Sequence, residues 1–173
     1  MNTQLSRLVQ SPHVLDCISH SAIQTIRIGQ RLGELLQSGD IVLLRGELGT
    51  GKTQLTKGIV QGLGSEALVN SPSFVLMNEY QAGPQWHRMP IYHVDLYRIE
   101  TSDELHGIGL TEALTDEGIC LIEWAERALE WFEQSRLEVH LSHLSETKRI
   151  VRFIPYGPRY ESLTHTLKHT AFA

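Results

Sequence analysis

One octapeptide limits this chain more than any other feature. Residues 46–53 read Gly46-Glu47-Leu48-Gly49-Thr50-Gly51-Lys52-Thr53 and fit G-x-x-x-x-G-K-[ST] at every fixed position. Glycines let a backbone wrap tightly and turn successive N–H groups toward phosphate oxygens, with no Cβ in the way. Lys52 can then reach the β- and γ-phosphates, and Thr53 offers its hydroxyl to Mg²⁺. A helix starting at the loop adds the positive end of its dipole. Average residue usage gives an accidental match in roughly half a per cent of chains this long. The loop also needs a strand before it and a helix after it. Ile41, Val42, Leu43 and Leu44 form a short apolar run between Gly39 and Gly46, which reads as a buried strand. Residues 53–63 carry Leu55, Ile59, Val60 and Leu63 at helical spacing and end at Gly62 and Gly64.

Around that centre the order of elements is α/β. Ser21 and Gln24 can cap a helix whose apolar positions are Ile23, Ile26, Leu32, Leu35 and Leu36, with its end expected near Ser38 and Gly39. Residues 74–80 and 91–97 read as strands, joined as a candidate hairpin across a polar stretch holding Gly83, Pro84 and Pro90. Thr101 and Glu104 suggest another cap for a short helical turn. Ile119, Cys120, Leu121 and Ile122 form a further buried strand, and residues 126–132 read as helical. Alternation at Leu137, Val139 and Leu141, and in part at Ile150, Arg152 and Ile154, gives two later strands. Residues 1–18 are only weakly periodic and read as an N-terminal extension, leaving 19–173 as one domain.

Composition narrows the function class. Hydrophobic residues make up 41% and charged residues 20% of the 173, the balance of a globular domain with a core. A formal net charge of −5 gives no sign of the basic face that a protein binding nucleic acid by itself usually shows. Cys17 and Cys120 form no CxxC pair, so neither a disulfide framework nor a zinc site is expected, and a reducing compartment fits. No stretch approaches the roughly 18 apolar residues that cross a bilayer, and the start lacks a secretory pattern. A cytoplasmic protein without membrane contact is the expectation.

Holding phosphate and hydrolysing it are different tasks, and the second needs a carboxylate at the metal shell or the attacking water. Asp95 follows Ile91-Tyr92-His93-Val94, and Glu123 follows Ile119-Cys120-Leu121-Ile122. A lone acid at a strand end ordinarily meets solvent or an arginine. In open α/β sheets, however, ligands gather at the carboxyl ends of strands. With a phosphate loop present, Glu123 is the candidate for the metal shell and Asp95 for positioning water or metal. None of Asn2, Asn70 and Asn78 precedes a lysine, so the Asn-Lys-x-Asp guanine reader is missing and ATP is favoured. Arg88, Arg98, Arg127 and Arg136 are scattered rather than grouped into a kinase lid. His140 and His143, three apart on an alternating strand, point to opposite faces and read as solvated rather than as metal ligands. Ser71 and Ser73 have no His and Asp arrangement that would make either a nucleophile.

Five segments taken in order resemble the bacterial TsaE (YjeE) family. They are the loop at 46–53, Ser71-Pro72-Ser73-Phe74, His93-Val94-Asp95-Leu96-Tyr97-Arg98, Asp103-Glu104-Leu105 and Ile119-Cys120-Leu121-Ile122-Glu123-Trp124. The resemblance spans roughly residues 20–155, and His-x-Asp-Leu-Tyr-Arg beside a phosphate loop is its most specific part. It implies a P-loop NTPase-like three-layer sandwich with a mixed central sheet, and an ATPase that uses Mg²⁺. By that likeness residues 46–53 cradle phosphate, with Lys52 on the phosphates and Thr53 on Mg²⁺. Asp95 is needed for hydrolysis, Glu123 joins the metal shell and Trp124 lies by the nucleotide. Residues 71–74 form a switch loop, and the helix start at Ser21 and Ala22 borders the adenine. The family supports threonylcarbamoyladenosine modification of tRNA with TsaB and TsaD proteins, so TsaB-like and TsaD-like partners are expected, with tRNA touched only indirectly. Lys148 and Arg149 stand where the family pattern has a glycine–arginine pair, and the extension before Ser21 is longer than that pattern needs. Two other readings use the same loop: a small-molecule P-loop kinase, and a nucleotide-dependent binding module without turnover.

Overall fold

A computed structural model describes residues 13–132 and 134–171. Among them seven strands form one sheet in the order β1-β7-β6-β2-β5-β4-β3. The strands are β1 (Leu15–Ser19), β2 (Ile41–Arg45), β3 (Met77–Gln81), β4 (Pro90–Asp95), β5 (Ile119–Glu123), β6 (Arg136–His143) and β7 (Arg149–Tyr156). β2 runs parallel to both β5 and β6, and β4 runs parallel to β5. The hairpins β3–β4 and β6–β7, and the β1–β7 edge pair, are antiparallel, so the sheet is mixed.

Central strands covered on both faces are apolar throughout. In β2, Val42 and Leu44 pack under α1 (Ala22–Gly33), α2 (Lys52–Gly62) and α5 (Pro158–Ala171), together with Leu121. Ile41 and Leu43 face the other way with Cys120 and Ile122. There they meet α3 (Glu104–Gly107), α4 (Leu110–Thr115) and the 3₁₀ turns Ala125–Arg127 and Leu129–Trp131. The expected three-layer α/β sandwich is thus present. Among the described residues no helix is long and apolar enough to cross a membrane.

α1 and α2 touch backbone to backbone. A Cβ at Gly29 or Gly33 would overlap the carbonyl oxygens of Leu55 and Ile59, and one at Gly58 or Gly62 would overlap those of Ile26 and Gln30. Glycines four apart on both helices let α1 lie directly on α2, which fixes α2 and hence the loop that opens it.

Several boundaries differ from the sequence reading. The cap at Ser21 is real: its hydroxyl accepts the Gln24 N–H at 3.1 Å, and Gln24 Oε1 accepts the His20 N–H. α1 ends at Gly33, though, and Leu36 stays buried in the turn that follows, where Arg159 takes the Leu35 carbonyl. β3 starts at Met77, leaving residues 74–76 as loop, and β4 ends at Asp95 because Asp95 Oδ1 accepts the Tyr97 N–H at 2.9 Å and turns the chain. Residues 126–132 form two 3₁₀ turns rather than one helix. A boundary at residue 18 would cut through β1, which pairs with β7 from Leu15 to Ser19; the extension expected at 1–18 otherwise lies, through residue 12, outside the described residues.

Candidate phosphate and metal site

The strand–loop–helix order places residues 46–53 at the carboxyl end of β2. Gly46, Gly49 and Gly51 take φ of 146°, 78° and 105°, where a side chain would strain the backbone. Lys52 opens α2 and folds back over the loop, its Nζ 2.5 Å from the Gly46 carbonyl oxygen and 2.9 Å from that of Glu47. The ammonium also lies 4.1 Å from the centre of the Trp124 ring, a cation–π contact. Burial lowers the Lys52 pKa, against the opposing pull of Glu123, Glu126 and Asp95. The cation therefore rests on acceptors that a phosphate would outcompete by its full negative charge.

The two strand-end acids come together through the register of β4 and β5, which sets Asp95 beside Glu123. Both are buried, at 2% and 3% exposure. Thr53 Oγ1 lies 3.1 and 3.3 Å from the two Glu123 oxygens and donates to that carboxylate. Asp95 Oδ2 accepts from the Ser71 and Ser73 hydroxyls, each at 3.1 Å, so the segment expected to act as a switch is tied to the acid expected to serve hydrolysis. Trp124 takes φ +58°, a costly conformation for a bulky residue, and stacks on Tyr97 at 4.9 Å.

These residues line a cleft of about 470 Å³ that includes Leu48, Gly49, Gly51, Lys52, Thr53, Asp95, Glu123 and Trp124. Gly46, Glu47 and Thr50 face an adjoining cleft of about 670 Å³. Ala22, expected at the adenine, is exposed at the start of α1 and is not among the lining residues of either. The first turn of α1 meets the loop through Thr25 instead, which would touch a Cβ at Gly51. Arg149 reaches the loop from its outer side, donating to the Gly49 carbonyl at 3.4 Å.

The donor set suits a nucleotide-borne Mg²⁺. That ion keeps several waters and takes one or two carboxylates plus phosphate oxygens, rather than a cage made only of protein. A threonine hydroxyl against a buried carboxylate beside a phosphate cradle is such a partial shell. Among the described residues no three His, Cys, Asp or Glu side chains gather as a cage. His140 is half-buried with its ring 2.9 Å from the buried Glu138, and His143 is exposed. Cys17 and Cys120 are free, and burial, reinforced by Asp16 and Asp116 respectively, pushes both thiols up to about 12.

Two residues of the site had no role from sequence. His93 bonds Glu123, and Tyr80 bonds His93. Both stand on strands read correctly as strands; His93 is two residues before Asp95 and diagonal to Glu123, and Tyr80 is diagonal to His93, so side-chain alternation was the available signal.

Fold and site together define a P-loop α/β protein. A family model described as "Threonylcarbamoyl adenosine biosynthesis protein TsaE" matches residues 19–151. The chain is 38% identical over 144 residues to the tRNA threonylcarbamoyladenosine biosynthesis protein TsaE of Bacillus subtilis, covering 83% of this chain and 87% of that protein. The TsaE of Treponema pallidum is 35% identical over 133 residues, covering 77% and 95%. The crystal structure of Bacillus subtilis YdiB superposes with a TM-score of 0.78 at 32% identity, covering 91% of this chain and 96% of that one. The chain belongs to the TsaE family.

Proposed function

We propose that this chain binds ATP with Mg²⁺ and hydrolyses it as an accessory to threonylcarbamoyladenosine modification of tRNA, acting on TsaB-like and TsaD-like proteins. One observation carries the reading: Lys52, Thr53, Glu123 and Asp95 converge on one cleft at the carboxyl ends of β2, β4 and β5. On phosphate binding, the Lys52 ammonium exchanges the Gly46 and Glu47 carbonyls for phosphate oxygens. Thr53 and Glu123 would hold the metal, which would supply positive charge against the phosphates. Asp95, released from one serine hydroxyl, accepts a hydrogen bond from the attacking water and orients its oxygen toward the γ-phosphorus. Cleavage releases ADP and phosphate, so the cycle needs no acceptor besides water.

The partner part of the reading rests on exposed apolar surface. Leu48 and Phe74 line the same cleft yet are 75% and 84% exposed, and Val75 beside them is 65% exposed. Large apolar side chains held out at a cleft mouth suit coverage by another protein. The test pairs two variants. Lys52→Ala should weaken ATP binding at least about 100-fold, by loss of a charged phosphate contact in a partly buried site. Asp95→Ala should keep ATP affinity within about threefold and lose hydrolysis by at least about 100-fold, the scale of general-base and water-positioning effects. Unchanged affinity in the first variant, or surviving turnover in the second, would contradict these roles for Lys52 and Asp95.

A further inference from the structure

A line of polar groups, buried at Glu123 and His93 and half-buried at Thr53, Tyr80 and Asn78, runs from the loop helix to the exposed Asn70 ahead of β3. His93 lies in β4, fully buried, on the same face as Asp95 two residues on. Its Nε2 is 2.8 Å from Glu123 Oε1 and its Nδ1 is 3.2 Å from the Tyr80 hydroxyl. The Tyr80 oxygen lies 3.3 Å from the Asn70 carbonyl, and the Asn78 amide donates to both. At the other end, Glu123 accepts the Thr53 hydroxyl.

An ionised carboxylate only accepts, so the ring nitrogen facing a Glu123 carboxylate is the donor of that hydrogen bond. An imidazole sealed inside a strand costs free energy unless both nitrogens are satisfied, and here both are. An aliphatic side chain would fill the same space between β3 and β5 without that requirement. What the imidazole adds is direction: it holds one oxygen of a carboxylate that must meet Thr53 and a metal ion at the same time.

We infer that His93 is the positioning residue for Glu123, with Tyr80 fixing the ring. The inference rests on the reading of Thr53 and Glu123 as the Mg²⁺ shell. Hydrogen-bond partners of metal ligands set ligand orientation, and losing one typically costs 10- to 100-fold in metal affinity. Through the Asn78 amide, which donates to the Tyr80 oxygen and to the Asn70 carbonyl, the same line reaches the residue next to the serines that hold Asp95, so one network touches the surroundings of both acids.

The experiment measures binding of a non-hydrolysable ATP analogue by calorimetry, across a Mg²⁺ titration and in EDTA, on the full chain. His93→Leu should bind the analogue in EDTA within about twofold of the parent, while the Mg²⁺ needed for half-maximal enhancement rises about 10- to 100-fold. His93→Gln, whose amide N–H reaches the Nε2 position, should restore it to within about fivefold, and Tyr80→Phe should raise it about three- to tenfold. A folded His93→Leu with the parent's Mg²⁺ dependence would overturn the inference. Equal losses in His93→Leu and His93→Gln, with and without Mg²⁺, would overturn it too, by making the residue a packing element. If His93→Leu does not fold, Tyr80→Phe decides, and an unchanged Mg²⁺ requirement counts against the inference. A parent protein whose analogue binding ignores Mg²⁺ would instead remove the metal shell itself.

Discussion

Glu138 shows how a single side chain can tie stability to pH. It lies at 1% exposure on β6, with Arg45, Arg136 and His140 within 2.7–3.1 Å of its oxygens. Burial alone would raise its pKa, but hydrogen bonds from His140, Arg136 and Arg45 outweigh that and hold it at about 2, against an ordinary 4.5. A carboxyl depressed in the folded state stabilises fully above its unfolded pKa and loses that contribution as pH falls through the folded value. Denaturant stability should therefore decline between pH 4.5 and about 2, by on the order of 2–3 kcal/mol from this group. Glu138→Gln should flatten that part of the profile; an unaltered slope would assign the acid sensitivity to other carboxylates. The same scale governs Lys52, where burial lowers the pKa and the two resting hydrogen bonds go to the Gly46 and Glu47 carbonyls, which a bound phosphate would displace.

At the scale of elements, the site depends on how α2 is seated. Four glycines put α1 and α2 in backbone contact, so Gly58→Ala must push α1 away from the loop helix. Overpacking of this kind should cost about 1–3 kcal/mol by urea denaturation. Nucleotide affinity should fall with it; full stability in Gly58→Ala would mean that the helices separate freely. This contact was not legible in the sequence, because glycines inside a helix read as weakness until the partner helix is known. β2, the loop, α2 and the acids at the ends of β4 and β5 were legible, since apolar runs and a spaced motif are local signals. β1 was missed because an edge strand with alternating exposure carries little apolar signature over Leu15–Ser19. α5 was missed although Gly157 and Pro158 mark its start and Tyr160, Leu163, Thr164 and Leu167 trace its buried face. Leu96 and Tyr97 extended the apparent strand past Asp95, since nothing in the residue pattern announces that a carboxylate will cap the turn.

Taken whole, the molecule sets a closed three-layer body behind a cleft whose mouth is apolar and open. Phe74 is 84% exposed under the Arg98 guanidinium, 4.5 Å away, and directly follows the serines that hold Asp95. A partner seated there would bury Phe74 and shift that segment together. Phe74→Ala should leave ATP binding by the isolated chain within about twofold and lower partner affinity at least about tenfold, the usual cost of removing a buried aromatic anchor. Equal partner affinity would move the docking surface elsewhere.

The most direct measurement is steady-state ATP hydrolysis with Mg²⁺, comparing the chain alone with the chain plus TsaB-like and TsaD-like proteins from the same source. Hydrolysis that appears or rises strongly with the partners, and is lost in Asp95→Ala, is the predicted result. ATP that binds but is hydrolysed no faster with the partners would contradict the account and turn attention to phosphoryl transfer onto a small acceptor.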